Sequence, residues 1–200
     1  MPSETKKASR GRPRTITKEK ILNAGIKIGL LNITFVGVAT ELGISHMALY
    51  KHVASVEALK YMVAEEIFLR WQIPSPKGNS HVPLQQYLID FMHSMRELVK
   101  SNAGITPYVI RRMASTPSMV EKINQHHVLL AEAYNLSLEH ARILNSTIAF
   151  HCIAVADTVY SVFGEVPIEG SDRALEEAEM ENEFIQSMHA LIIGILASIS

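Results

Sequence analysis

Thr34-Phe35-Val36-Gly37-Val38-Ala39-Thr40-Glu41-Leu42-Gly43-Ile44-Ser45-His46-Met47-Ala48-Leu49-Tyr50-Lys51-His52-Val53 is the stretch on which the reading of this chain turns. Phe35, Val38, Ala39 and Leu42 repeat at i, i+3, i+4 and i+7, which is one face of a helix beginning after Thr34. Gly43 is free to take positive φ, so the chain can reverse within a few residues. Ser45 then caps a short second helix, His46 to about His52, with Ala48 and Leu49 turned inward. Helix, glycine turn and short capped helix is the layout that sets a helix in the DNA major groove. A helix this short does not hold itself together, so its neighbours must.

Those neighbours are legible on both sides. Upstream, Thr17 is an N-cap for a helix carrying Ile21, Ala24, Ile28 and Leu31 on one face. Asn32 tolerates the left-handed conformation and is expected to end it, with Ile33 as the following apolar contact. Downstream, Ser55 caps a fourth helix with Leu59, Met62, Val63 and Ile67 on its apolar stripe and Glu57 favourable in its first turn. Any one of these pieces fits an ordinary helical hairpin. Their order, with a basic arm ahead of them, favours a DNA reader.

Ile21-Leu22-Asn23-Ala24, the run from Thr34 to Ser45, Ala48-Leu49-Tyr50-Lys51-His52-Val53 and Ser55-Val56-Glu57-Ala58-Leu59 together resemble the DNA-binding domain of the TetR family of bacterial transcriptional regulators. The resemblance covers residues 17–72. Beyond it, only length and helicity match the family. Gly29 and Val53 stand where the family usually has an aromatic, and Val56 where a phosphate-touching lysine is common. The resemblance implies a cytoplasmic homodimer on a short palindromic operator, acting as a repressor that a small molecule in the C-terminal unit releases.

On the short helix, His46, Met47, Tyr50 and Lys51 do not face the core. Residues at the start of such a helix point at base edges. Met47 suits a thymine methyl and His46 a guanine acceptor. Tyr50, Lys51 and His52 suit phosphates. Thr34 and Ser45 leave backbone N–H groups at helix starts, which also suit phosphate oxygens. Tyr50 has a second use, half-buried packing against the first helix.

Charge is divided along the chain. Residues 1–71 carry a net +5 and residues 72–200 a net −6, beneath an overall charge of −1. A basic first third on an acidic remainder directs only the first part at a polyanion. Five of the positive charges fall in the arm Lys6-Lys7-Ala8-Ser9-Arg10-Gly11-Arg12-Pro13-Arg14. Arg10, Arg12 and Arg14 resemble the minor-groove core of an AT-hook, where arginine is drawn to narrow A·T-rich DNA.

The expected fold class is all-α: an N-terminal helix-turn-helix DNA-binding domain plus a C-terminal helical bundle for ligand binding and dimerisation. Residues 1–15 form the arm, 16–72 the helix-turn-helix domain and 73–200 the bundle, with the Pro- and Gly-bearing stretch 72–82 as the hinge. Strand signals are absent. Helices are expected near 83–101, 105–115, 117–134, 138–163 and 172–198. The last two are widely apolar, and the resemblance to the family implies that they build a dimer-forming four-helix bundle.

Polar groups on otherwise apolar helices are the candidates for a ligand cavity: His93, Tyr108, Asn124, His127, Asn145, His151, Asp157 and Tyr160. The adjacent His126 and His127 point in different directions on a helix and do not chelate together. No HExxH, Cys/His cluster, phosphate loop or Gly-x-Ser-x-Gly elbow occurs, so no metal, cofactor or enzymatic activity is expected. The single cysteine, Cys152, allows no intrachain disulfide and fits a reducing compartment. Ile143 to Phe163 carries Asn145, His151, Asp157 and Thr158, too many polar groups for a lipid-spanning helix, so no membrane is expected. Two rivals stay open on the sequence: a related regulator or activator controlled by a protein partner, and a helical-bundle enzyme or metal protein with an accidental basic tail.

Overall fold

A computed structural model describes residues 16–76, 82–110, 115–161 and 172–199. Among these residues there are nine α-helices and no strand. They are α1 (Lys18–Ile28), α2 (Phe35–Leu42), α3 (His46–Tyr50), α4 (Val56–Arg70), α5 (Leu84–Ser101), α6 (Thr106–Val109), α7 (Pro117–Tyr134), α8 (Leu138–Ser161) and α9 (Arg173–Ile199). The fold is all-α, with a helix-turn-helix at the N-terminus and a helical bundle behind it.

The expected caps are in place. Thr17 Oγ1 accepts from Lys20 N–H at 3.3 Å, Thr34 Oγ1 from Gly37 N–H at 3.0 Å, Ser45 Oγ from Ala48 N–H at 3.2 Å and Ser55 Oγ from Ala58 N–H at 3.0 Å. Each satisfies a donor that the first turn leaves orphaned. Gly43 adopts φ 66°, ψ 39°, and the N–H of Ile44 reaches back to Ala39 O at 3.0 Å. That pair of features ends α2 and starts the turn.

The end of α1 differs from the sequence expectation. The helix stops at Ile28, not Asn32, because Gly29 takes φ 84° and Leu30–Asn32 continues as a 3-10 turn. Glycine adopts that φ at no steric cost, whereas Asn32 never needs to. Leu31 leaves the helix face predicted for it and is exposed. Its side chain lies over Gly104 in the α5–α6 connection, where a Cβ would meet Leu31 Cδ2 at 2.6 Å. Glycine at 104 therefore lets the two halves approach, and its φ of 85° suits the same residue.

Of the expected helix 105–115, α6 covers Thr106–Val109, and residues 111–114 lie outside the described residues. The other bundle helices lie within two residues of their expected bounds. One apolar core runs through the molecule, from Ile21 and Leu49 through Phe68, Trp71 and Phe91 to Leu144, Met188 and Ile192. α4 belongs to both halves. Its early residues Leu59 and Val63 pack under the helix-turn-helix, while Phe68 near its end packs on Trp71, and Trp71 on Phe91 of α5.

Candidate nucleic-acid interface and effector cavity

α3 is held from beneath by Leu49, which is fully buried, and by Val53 just after it. Its outer side carries His46, Met47, Tyr50, Lys51 and His52, all exposed, with Met47 at 62%. The Tyr50 ring lies flat on Phe35 of α2, centroids 4.2 Å apart and planes 10° apart, leaving 49% of the residue exposed. Its packing partner is therefore α2, not the first helix. The hydroxyl oxygens of Thr34 and Ser45 accept the capping N–H groups, which leaves each O–H free to donate outward. Arg10, Arg12 and Arg14 lie outside the described residues.

Behind this face, α7 grips the end of α4. Lys122 Nζ donates to the carbonyls of Phe68 at 3.0 Å, Leu69 at 2.8 Å and Trp71. These are oxygens that a helix C-terminus leaves without partners, and a cation there also meets the negative end of the dipole. The partial burial of Lys122 pulls its ammonium below the ordinary lysine range. One turn earlier, Thr116 Oγ1 caps α7 by accepting from Met119 N–H at 3.3 Å and donates to Glu65 Oε1 at 2.6 Å. Nothing in the sequence marked Lys122; on its own it reads as a solvated charge.

The same α7 forms one wall of a cavity of about 850 Å³ between α4, α5, α7 and α8. Met119, Val120, Ile123, Asn124 and His127 line it from α7, and Phe68, Phe91 and Met95 from α4 and α5. From α8 come Arg142, Asn145, Ser146, Ala149 and Ile153, spaced i, i+3, i+4, i+7 and i+11. α8 turns a second face, Leu144, Ile148 and Cys152, into the bundle. A third, with Ala154 and Thr158, is exposed.

Of the polar candidates, Asn124, His127 and Asn145 come together on this cavity. The rest lie elsewhere. His93 is half-buried on α5 away from the cavity lining, and His151 is exposed on α8. Tyr108 meets Tyr61 of α4 edge-on at 4.9 Å. Asp157 accepts from Thr106 Oγ1 at 2.8 Å, so this acid ties α8 to α6. The side chain of Tyr160 is outside the described residues. Arg142 and Glu139, both exposed, were not anticipated as lining residues.

His127 and Asn145 are buried at 7% and 3% exposure. Neither Nδ1 of His127 nor either amide atom of Asn145 has a hydrogen-bond partner among the described residues. Burial, and then the charge of Arg142, lowers the His127 imidazole below its ordinary value, so it is neutral at pH 7. Its neighbour His126 faces away and pairs with the Tyr87 hydroxyl at 2.7 Å. Among the described residues, no three His, Cys, Asp or Glu side chains converge as a metal set. Cys152 is fully buried, its thiol pushed up to about 12 by burial.

No family model matches the sequence, and no curated protein matches it either. Solved structures do. A variant of TetR from Acinetobacter baumannii AYE in complex with minocycline superposes with a TM-score of 0.69 at 16% identity, over 93% of this chain and 99% of that one. ActR from Streptomyces coelicolor, alone and in complex with actinorhodin, gives 0.64 in both cases at 17% identity, over 93% and 99% of the chains. The chain has the fold of these TetR-type proteins.

Proposed function

We propose that this chain is a TetR-family transcriptional regulator. It binds a short palindromic operator as a homodimer, represses, and is released by a small molecule entering the cavity. The observation that carries the reading is the pairing of an exposed, capped α3 with a cavity whose wall, α7, holds the end of α4. α4 follows directly from the helix-turn-helix, so a shift of α7 is passed back to α3. Minocycline and actinorhodin in the neighbours of the same fold support a small-molecule effector. Coupling of this kind needs only about 1–3 kcal/mol of differential affinity.

In this reading His46 and Met47 meet base edges, while Thr34, Ser45, Tyr50, Lys51 and His52 meet phosphates. The arm, with Arg10, Arg12 and Arg14, adds a salt-sensitive contribution to affinity. Dimerisation uses the exposed sides of α8 and α9. On α9, Ala190, Ile193, Gly194 and Ala197 are exposed, and a Cβ built on Gly194 meets nothing within 4 Å. Small residues there leave room for a partner helix to approach closely. α9 is also long and apolar enough to cross a membrane by length and composition, with 22% of its most apolar window buried. A partner helix accounts for that apolar surface in a cytoplasmic protein.

Selection from random duplex DNA tests the reading. A two-fold symmetric site should be enriched. Recovery of no sequence preference would exclude an operator-binding regulator.

A further inference from the structure

The cavity carries an unsettled polar debt. Asn145 is 3% exposed and lines the cavity, yet both its carboxamide oxygen and its nitrogen lack a partner among the described residues. Buried amides are almost always paired, and one left open points to an unseen occupant. A carboxamide is a flat edge with one acceptor and one donor side by side. Its complement is another such edge. The rings of Phe68, Phe91 and Phe150 line the same cavity.

We infer that the cavity takes a neutral, largely apolar ring compound whose head carries an adjacent N–H and C=O, a lactam or primary-amide edge, received by Asn145. This rests on reading the cavity as the effector chamber. His127, neutral and with Nδ1 open, stands by as a second hydrogen-bonding group. A cationic head finds no buried acid in the lining: Glu139, the acid present there among the described residues, is exposed. A cation would also face Arg142, exposed at the same cavity.

The probes are phenanthridin-6-one, its N-methyl derivative and phenanthrene, measured by equilibrium dialysis against the full chain. The first offers both donor and acceptor, the second only the acceptor, the third neither. The lactam should bind about tenfold or more tightly than the N-methyl compound, the factor one well-made hydrogen-bond difference yields. Asn145→Leu should bring that ratio below about threefold while leaving phenanthrene binding equal or stronger. Asn145→Ala repeats the comparison with a smaller side chain, should leucine disturb folding. Trp71, the chain's one tryptophan, lies 5.6 Å from Phe68 and 6.2 Å from Phe91 between ring centroids, so its quenching reports occupancy of this cavity. A ratio near one in the unaltered chain, or a ratio that survives both substitutions, overturns the assignment of the head group alone. Failure of all three compounds, phenanthrene included, to bind overturns the effector chamber itself.

Discussion

Replacing Tyr50 by phenylalanine separates two roles that alanine would confuse. The ring packs on Phe35, a stack worth about 0.5–1.5 kcal/mol, and alanine would lose it together with the hydroxyl. Tyr50→Phe should leave thermal stability unchanged and weaken binding to every DNA sequence alike, because a phosphate contact carries no base information. Met47→Ala should instead change which base is preferred at one position, by about 1–3 kcal/mol. Binding to a panel of single-base operator variants decides the matter; altered preference with Tyr50→Phe and none with Met47→Ala would reverse the orientation of α3. A second residue-scale expectation concerns pH. Burial, then the charges of His127 and Lys122, brings His126 down to about 4. In the unfolded chain it titrates near 6.5, so between those values the unfolded state binds more protons and folding weakens as pH falls. Between pH 7 and pH 5 the loss amounts to about 2 kcal/mol for this group. Urea titrations at pH 7 and pH 5 should show it, and His126→Phe should flatten the difference; an equal loss in the variant would assign the effect to other groups. At this scale the caps were legible because each is a side chain meeting a backbone N–H three residues away. His127 and His93 were not distinguishable, since each is a histidine on an amphipathic helix. The rotation of that helix against three others decides which one faces the cavity.

At the scale of elements, the bundle helices were readable from periodicity and breakers, and the misplaced end of α1 shows where such reading fails. Asn32 and Gly29 are both able to end a helix, and choosing between them depends on Leu31 seating over Gly104, a contact between residues far apart in sequence. The α4–α7 clamp was invisible for the same reason. Lys122→Met removes three donors from the carbonyls at the end of α4, together with the cation that lies 5.7 Å from the Phe68 ring centroid. Hydrogen bonds to a charged group contribute about 1.5–3 kcal/mol, so the variant should lose roughly that much stability. For a chain of this size that is a fall in Tm of about 3–12 °C, readable by calorimetry. An unchanged Tm would mean that water replaces the ammonium at no cost.

For the whole molecule, the prediction turns on one position on the exposed side of α9. Gly194→Arg adds a long charged side chain where a Cβ meets nothing, so the single chain should fold as before. A partner helix approaching that face would be blocked. Light scattering at micromolar concentration should give a dimer for the unaltered chain and half that mass for the variant, with operator binding lost. A dimer that persists would move the interface elsewhere. Legibility at this scale was uneven. The fold class and the short capped α3 rest on local signals, but the cavity exists only where α4, α5, α7 and α8 leave a gap, and no local pattern in the sequence announces a gap. The clamp has one further consequence, for how such a protein drifts. Lys122 holds main-chain oxygens, which every residue supplies. The side chain at position 69 can therefore wander through generations of substitution without loosening the grip, while position 122 has no such latitude. Inheritance of the linkage is lodged in one codon of α7, and the partner helix contributes to it whatever its spelling.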